Sequence, residues 1–171
     1  MPLHKKRAAR GRLLIVRTGG VFAASERPHF VADAVRRLVG DQDVPTPSGG
    51  FISPTYAPDL ANAVLDLLID GETGFWHLTH GAALQPADFL ARLAAALGMD
   101  GARVRPMGGG RAQGWIPPAH AALASDRGGL MPSLDDALSR YAAAMAPQLD
   151  AGPNQLLVPT AATAPEGTKA I

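Results

Sequence analysis

The sequence has no cysteine, which excludes disulfides and thiolate metal sites. It has no long apolar run either: none approaches the roughly 20 residues that span a bilayer, so no membrane partner is expected. Charge is nearly balanced, with a formal net charge of +1, and this removes any global argument for a nucleic-acid partner. Lysine is confined to Lys5, Lys6 and Lys169, and tyrosine to Tyr56 and Tyr141. The basic start has no apolar h-region behind it, because Leu13 to Val16 is only a strand's length. No secretory signal is therefore read, and the expected compartment is cytoplasmic. What is present is a chain of 171 residues rich in Ala, Gly and Pro, long enough for one domain with a core.

The stretch around which the chain is organised is Phe51 to Leu68, FISPTYAPDLANAVLDLL. Pro54 biases Ser53 away from helical geometry, so the chain is extended or turning there. Pro58 suits the first turn of a helix, where amide donors have no internal partner, and Asp59 sets a negative charge at the positive end of its dipole. Leu60, Ala61, Val64, Leu65 and Leu68 recur at the spacing of one buried face, and Gly71 is a fitting stop. Ser53 and Thr55 have two readings: floor of a substrate cleft, or hydroxyls that satisfy the helix-start amides.

Elsewhere, Lys5, Lys6, Arg7, Arg10 and Arg12 form a basic, poorly ordered start over residues 1–11 and just beyond. Leu13 to Val16 has the composition of a strand buried on both faces of a parallel sheet. A helix beginning near Arg27-Pro28 carries the stripe Phe30, Val31, Ala34, Val35, Leu38 and Val39 and ends at Gly40, with Arg36 and Arg37 outside. Gly74 to Thr79 alternates as a strand. His77 and His80, three apart, face opposite sides of it; with no acidic neighbours arranged around them no metal site is expected. Leu84 to Leu97 is a helix with Phe89, Leu90, Leu93 and Leu97 inward, and Ala102 to Pro106 a short strand. Gly108 to Gly110 with Gly114 is read as a turn, because Trp115-Ile116-Pro117-Pro118 cannot open the helix a phosphate loop needs. Ser133 to Met145 is the last helix, opened by the capping box Ser133-Leu134-Asp135-Asp136, with Leu134, Leu138, Tyr141 and Met145 buried. Residues 147–171 lack apolar periodicity and read as a mobile tail.

The order S-P-T-Y-A, D-L-A and then an aliphatic helix resembles dTDP-4-dehydrorhamnose reductases, extended short-chain dehydrogenases that reduce a keto group on a nucleotide-linked sugar. LLIVRTGGVF (13–22) resembles that family's strand ending in Arg-Thr, and GFWHLT (74–79) its Gly-aromatic-His-Leu strand. ALASDRGGLMPSLDDALSRY (122–141) resembles the family's end, with Met131 where many relatives have Arg. Other departures are Gly19 for the usual Ser, Pro28-His29 for Asn residues, and Gly49-Gly50 for an Asp-Gln pair.

The resemblance implies an α/β fold: an incomplete Rossmann-like, extended short-chain dehydrogenase fragment of a few short strands with about four helices. Residues 12–146 are then a C-terminal substrate-binding lobe plus the last Rossmann strand or strands. Arg17 and Thr18 fall on cofactor-binding positions, and Phe30, Ser53, Pro54, Thr55 and Tyr56 on substrate-binding positions. The substrate implied is a nucleotide-sugar and the cofactor NADP or NAD. The family's chemistry also needs a glycine fingerprint and a Tyr whose acidity is raised by a Lys four residues on. Four residues after Tyr56 and Tyr141 stand Leu60 and Met145, and no G-x-x-G-x-x-G occurs. No catalytic residue is therefore assigned, the cofactor is not expected to bind this chain alone, and isolated activity is not expected. The candidate roles are part of a reductase whose N-terminal cofactor domain lies elsewhere, a non-catalytic binding or regulatory subunit, or a gene remnant. The unpaired strand Leu13 to Val16 favours a homo-oligomer or a poorly soluble monomer.

Overall fold

The computed structural model describes residues 13–24, 29–107 and 120–150. The basic start, the Arg27-Pro28 helix opening, the Gly108–Gly114 turn with Trp115 to Pro118, and residues 151–171 of the expected tail lie outside the described residues. The described part is α/β, with four α-helices and short strands joined in parallel pairs.

Strand β1 (Leu14–Thr18) pairs with β6 (Gly74–Leu78), and β2 (Val21–Phe22) with β5 (Thr55–Tyr56). Strand β3 (Val44–Pro47) pairs with β7 (Val104–Met107), and β4 (Phe51–Ile52) with β8 (His120–Ala121). The helices between them are α1 (Phe30–Val39), α2 (Ala57–Ile69), α3 (Pro86–Ala96) and α4 (Leu134–Asp150), with a 3₁₀ turn at Gly101–Arg103.

Two apolar cores result among the described residues. The larger gathers α1, α3 and α4 around Phe22, Tyr56, Phe89 and Tyr141, whose rings lie 5.4–6.3 Å apart in tilted and edge-on pairs. The smaller packs Ala63 and Leu67 of α2 on Trp76 and Leu78 of β6. Helix α2 therefore spans both, its first turn beside the aromatic core and its body over β6.

Helix ends follow from local chemistry. After α2, Glu72 N–H bonds Leu67 C=O and Gly71 N–H bonds Leu68 C=O, a Schellman closure with Gly71 at φ 70°. After α1 the same pattern uses Asp41 at φ 53° as the left-handed residue, while the expected stop, Gly40, sits at φ −81°. Asp tolerates this conformation better than a branched residue would.

Three expectations require correction. The buried face of α2 is Asp59, Ala63 and Leu67, with Leu60 and Val64 half-covered and Ala61, Leu65 and Leu68 exposed. Periodicity located an apolar stripe wider than the surface available to cover it. Strand β1 is half-exposed, because β6 is its sole described neighbour. Helix α4 runs through Pro147 to Asp150, into the segment expected to be mobile. Pro147 cannot donate to the Ala143 carbonyl, but Met145 and Leu149 on either side pack on the larger core and hold the turn.

Candidate functional site

The loop after β1 and the turn before α2 touch through their backbones. Thr55 N–H donates to Gly20 C=O at 2.9 Å, and a Cβ on Gly19 would stand 1.9 Å from the Ser53 carbonyl oxygen. Only glycine permits that approach, which explains why no Ser stands at position 19. The contact sets the carboxyl end of β1, with Arg17 and Thr18, beside the Ser53–Tyr56 turn. In open α/β sheets that end of the strands is where ligands bind.

The candidate residues are presented unequally. Arg17 is exposed, with its guanidinium 5.2 Å above the Phe75 ring. Thr18 Oγ1 is buried and has no hydrogen-bond partner among the described residues. Phe30 opens α1 and packs half-buried on the aromatic core. Ser53, Pro54, Thr55 and Tyr56 are all buried. Ser53 Oγ exchanges two bonds with the Leu123 backbone, accepting its N–H at 3.0 Å and donating to its C=O at 3.4 Å. Thr55 Oγ1 donates to Ser53 C=O, and the Tyr56 ring joins the aromatic core. Neither hydroxyl caps α2, contrary to the capping expectation. The Tyr56 N–H is instead taken by His80 Nε2 at 3.1 Å.

That histidine belongs to a polar cluster that sequence reasoning missed. His80 Nδ1 lies 2.8 Å from Pro132 C=O, so it must donate there, and Nε2 must accept. Asp59, 4% exposed, lies 3.5 Å from the same Nε2 but is bonded to Arg140, which closes on both of its oxygens. Arg140 also reaches Asp136 and lies 5.6 Å over the Tyr56 ring. Hydrogen bonding to Asp59, more than to Asp136, raises the Arg140 guanidinium above its already high ordinary value. By sequence, Asp59 signals a dipole partner in the first turn of α2. Its one other signal was its place in the D-L-A motif, because the arginine that holds it is 81 residues away.

A second set of bonds fastens residues 123–124 over the end of β6. His77 Nδ1 is 2.8 Å from Ala124 C=O, and Thr79 Oγ1 donates to Leu123 C=O. His77 is thus half-buried and hydrogen-bonded, and His77 and His80 serve separate carbonyls. Among the described residues no group of three or more metal-ligating side chains converges.

The family model described as the RmlD substrate binding domain matches residues 5–126. A dTDP-4-dehydrorhamnose reductase of Mycolicibacterium smegmatis is 32% identical over 153 residues, covering 85% of this chain and 47% of that protein. The chain belongs to the RmlD substrate binding domain family. It spans about half the length of that curated relative. The fold is shared with the dTDP-4-dehydrorhamnose reductase of Bacillus anthracis solved with NADP, at TM-score 0.65 and 22% identity, over 75% of this chain and 47% of that one. A hypothetical dTDP-4-dehydrorhamnose reductase from Sulfolobus tokodaii gives TM-score 0.58 at 27% identity, over 70% and 42%.

The residues of this RmlD-type domain do not by themselves fit a dinucleotide. No glycine fingerprint occurs in the 171 residues, and the carboxyl end of β1 offers one exposed arginine and one threonine hydroxyl. Among the described residues no helix is long and apolar enough to cross a membrane.

Proposed function

We propose that this chain is the sugar-nucleotide lobe of an NAD(P)H-dependent reductase acting on a 4-keto nucleotide sugar. The observation that carries the reading is the packing of the Ser53–Tyr56 turn on Gly19–Gly20, at the carboxyl end of β1. Ser53, Pro54, Thr55 and Tyr56 shape the floor of the cleft through their backbone, Phe30 flanks it, and Arg17 and Thr18 border the cofactor. The hydride donor, NADP or NAD by family, is held by protein outside residues 1–171, and so is the acid that protonates the ketone oxygen. Loss of acid catalysis alone is worth roughly 10²–10⁴-fold. The setting is cytoplasmic.

The expected result is saturable binding of a dTDP-sugar by the full chain in calorimetry, with no NADPH oxidation when dTDP-4-keto-6-deoxy sugar is added. Absence of binding rules out the lobe assignment; turnover well above buffer rules out the division of labour. The missing Tyr-x-x-x-Lys favours one second reading, a non-catalytic regulatory subunit that binds the nucleotide sugar. That reading requires that the chain change another reductase's rate while staying inert itself. A homo-oligomer without any cofactor-bearing partner is the competing assembly.

A further inference from the structure

We infer, resting on the reading above of the Ser53–Tyr56 turn as the floor of the nucleotide-sugar cleft, that His80 is the positioning residue of that turn. Its neutral ring, protonated on Nδ1, suspends the Tyr56 amide between the end of β6 and the entry to α4.

The turn has few handles. Pro54 has no N–H, and Tyr56, at the N-cap of α2, offers no side-chain cap. The second half of the turn therefore hangs on two consecutive amides. Thr55 N–H goes to Gly20 C=O at 2.9 Å, and Tyr56 N–H to His80 Nε2 at 3.1 Å. The first bond joins backbone to backbone. The second depends on one side chain, two residues past the carboxyl end of β6.

That side chain can hold the amide in one state alone. Nε2 accepts only while it carries no proton, and Nδ1, 2.8 Å from Pro132 C=O, must carry one. The ring is fully buried, so neither role passes to bulk water. Among the described residues, Asp59 is the one acidic group within ion-pairing reach of the ring, with Oδ2 3.5 Å from the same Nε2. A free carboxylate there would draw a second proton onto Nε2 and evict the Tyr56 amide. Arg140 of α4 prevents this by closing on both Asp59 oxygens, with Asp136 as its further partner. The Asp59–Arg140 pair thus guards the acceptor on which the turn hangs.

Pro132 C=O supplies the remaining link. It immediately precedes Ser133, whose Oγ accepts Asp136 N–H in the first turn of α4. One imidazole therefore ties the cleft floor to β6 and to α4, and the tie exists for a single tautomer. Glutamine carries one acceptor and one donor that can take over both bonds, whereas leucine can make neither.

The test uses the full chain with nitrogen-15-labelled histidines. At neutral pH the His80 Nε2 signal should lie in the range of an unprotonated imidazole nitrogen, and the Tyr56 amide should exchange slowly. His80→Leu should speed that exchange. It should also weaken dTDP-glucose binding by about tenfold at a temperature where the variant is folded, the order of cost of a buried amide without its acceptor. His80→Gln should restore most of the affinity; a merely structural residue would move the melting temperature and leave the affinity of the folded chain alone. Arg140→Met, by freeing Asp59, should put a proton on Nε2 and loosen the Tyr56 amide with His80 in place. If His80→Leu does not fold, Arg140→Met carries the same comparison of exchange and affinity. The assignment fails if Nε2 is protonated in the unmutated chain or stays unprotonated in Arg140→Met. It fails equally if His80→Leu binds as tightly as the unmutated chain, or His80→Gln as weakly as His80→Leu. An unmutated chain that binds no dTDP-sugar sinks the functional reading, and the nitrogen signal and Tyr56 exchange then decide the role of His80 by themselves.

Discussion

A methyl group at position 19 would land on the Ser53 carbonyl, whereas one at position 20 would meet nothing within 4 Å. Gly19→Ala should therefore destabilise by about 1–3 kcal/mol, as overpacking does, and Gly20→Ala by much less, compared by urea denaturation. Asp59 makes a second contrast. Its carboxylate is buried under Arg140, while Asp136 on the same guanidinium is exposed. Asp59→Ala should cost about 2 kcal/mol, below the full value for a buried pair because Arg140 itself is partly solvated, and Asp136→Ala about 0–1. His29 caps α1 by accepting the Ala32 N–H on Nδ1. Burial lowers its pKa below the ordinary 6.5, against smaller raising effects from the Ala23 backbone and Asp33. The folded chain thus holds this proton less tightly than the unfolded one. Its contribution is complete above 6.5 and is lost as pH falls through the lower folded value. His29→Asn keeps an acceptor at the cap and should flatten the decline in urea midpoint as pH falls below 6.5.

At the scale of elements, α4 is the clearest case of packing overriding local preference. Residues 147–150 read as tail because of Pro147 and the alanines around it, yet Leu149 reaches the core and keeps the last turn helical. Leu149→Ser should fray this turn and lower the melting temperature, whereas a substitution at exposed Ala146 should not. Tyr141 ties the same helix to Phe22 and Tyr56. Burial, with Tyr56 nearby, pushes its phenol up to about 12 from 10.0. The un-ionised ring then stabilises the fold fully below pH 10.0, and that contribution is lost as pH rises through about 12. Ultraviolet titration should therefore show a tyrosine step near pH 12, and Tyr141→Phe should remove it. The helices were legible because each has a strong period with proline at one end or a left-handed residue past the other. The face that α2 buries was not, because Ala63 and Leu67 are chosen by where β6 lies.

At the scale of the whole molecule, exposed apolar side chains are spread over several elements among the described residues, and Ile69 of α2, at 82%, is the most exposed of the large ones. Ile69→Lys should raise the solubility limit of the full chain without moving its melting temperature, because the side chain is already in water. Family membership was legible from short ordered phrases: the Arg-Thr strand, the S-P-T-Y turn and the Gly-aromatic-His-Leu strand keep their spacing in the chain. The polar cluster was not legible, since Asp59, His80 and Arg140 come from three elements and no periodicity joins them. The sequence alone located the bodies of the four helices and the strands around Leu13–Val16 and Gly74–Thr79, and showed which residue types are absent, because those depend on local spacing and on residues that can be counted. Tertiary structure decided that the Ser53–Tyr56 turn lies buried against Gly19, that His80 rather than a hydroxyl takes the Tyr56 amide just before α2, and that among the described residues β1 pairs with β6 alone. Those outcomes depend on distances between residues far apart along the chain, which local patterns do not encode.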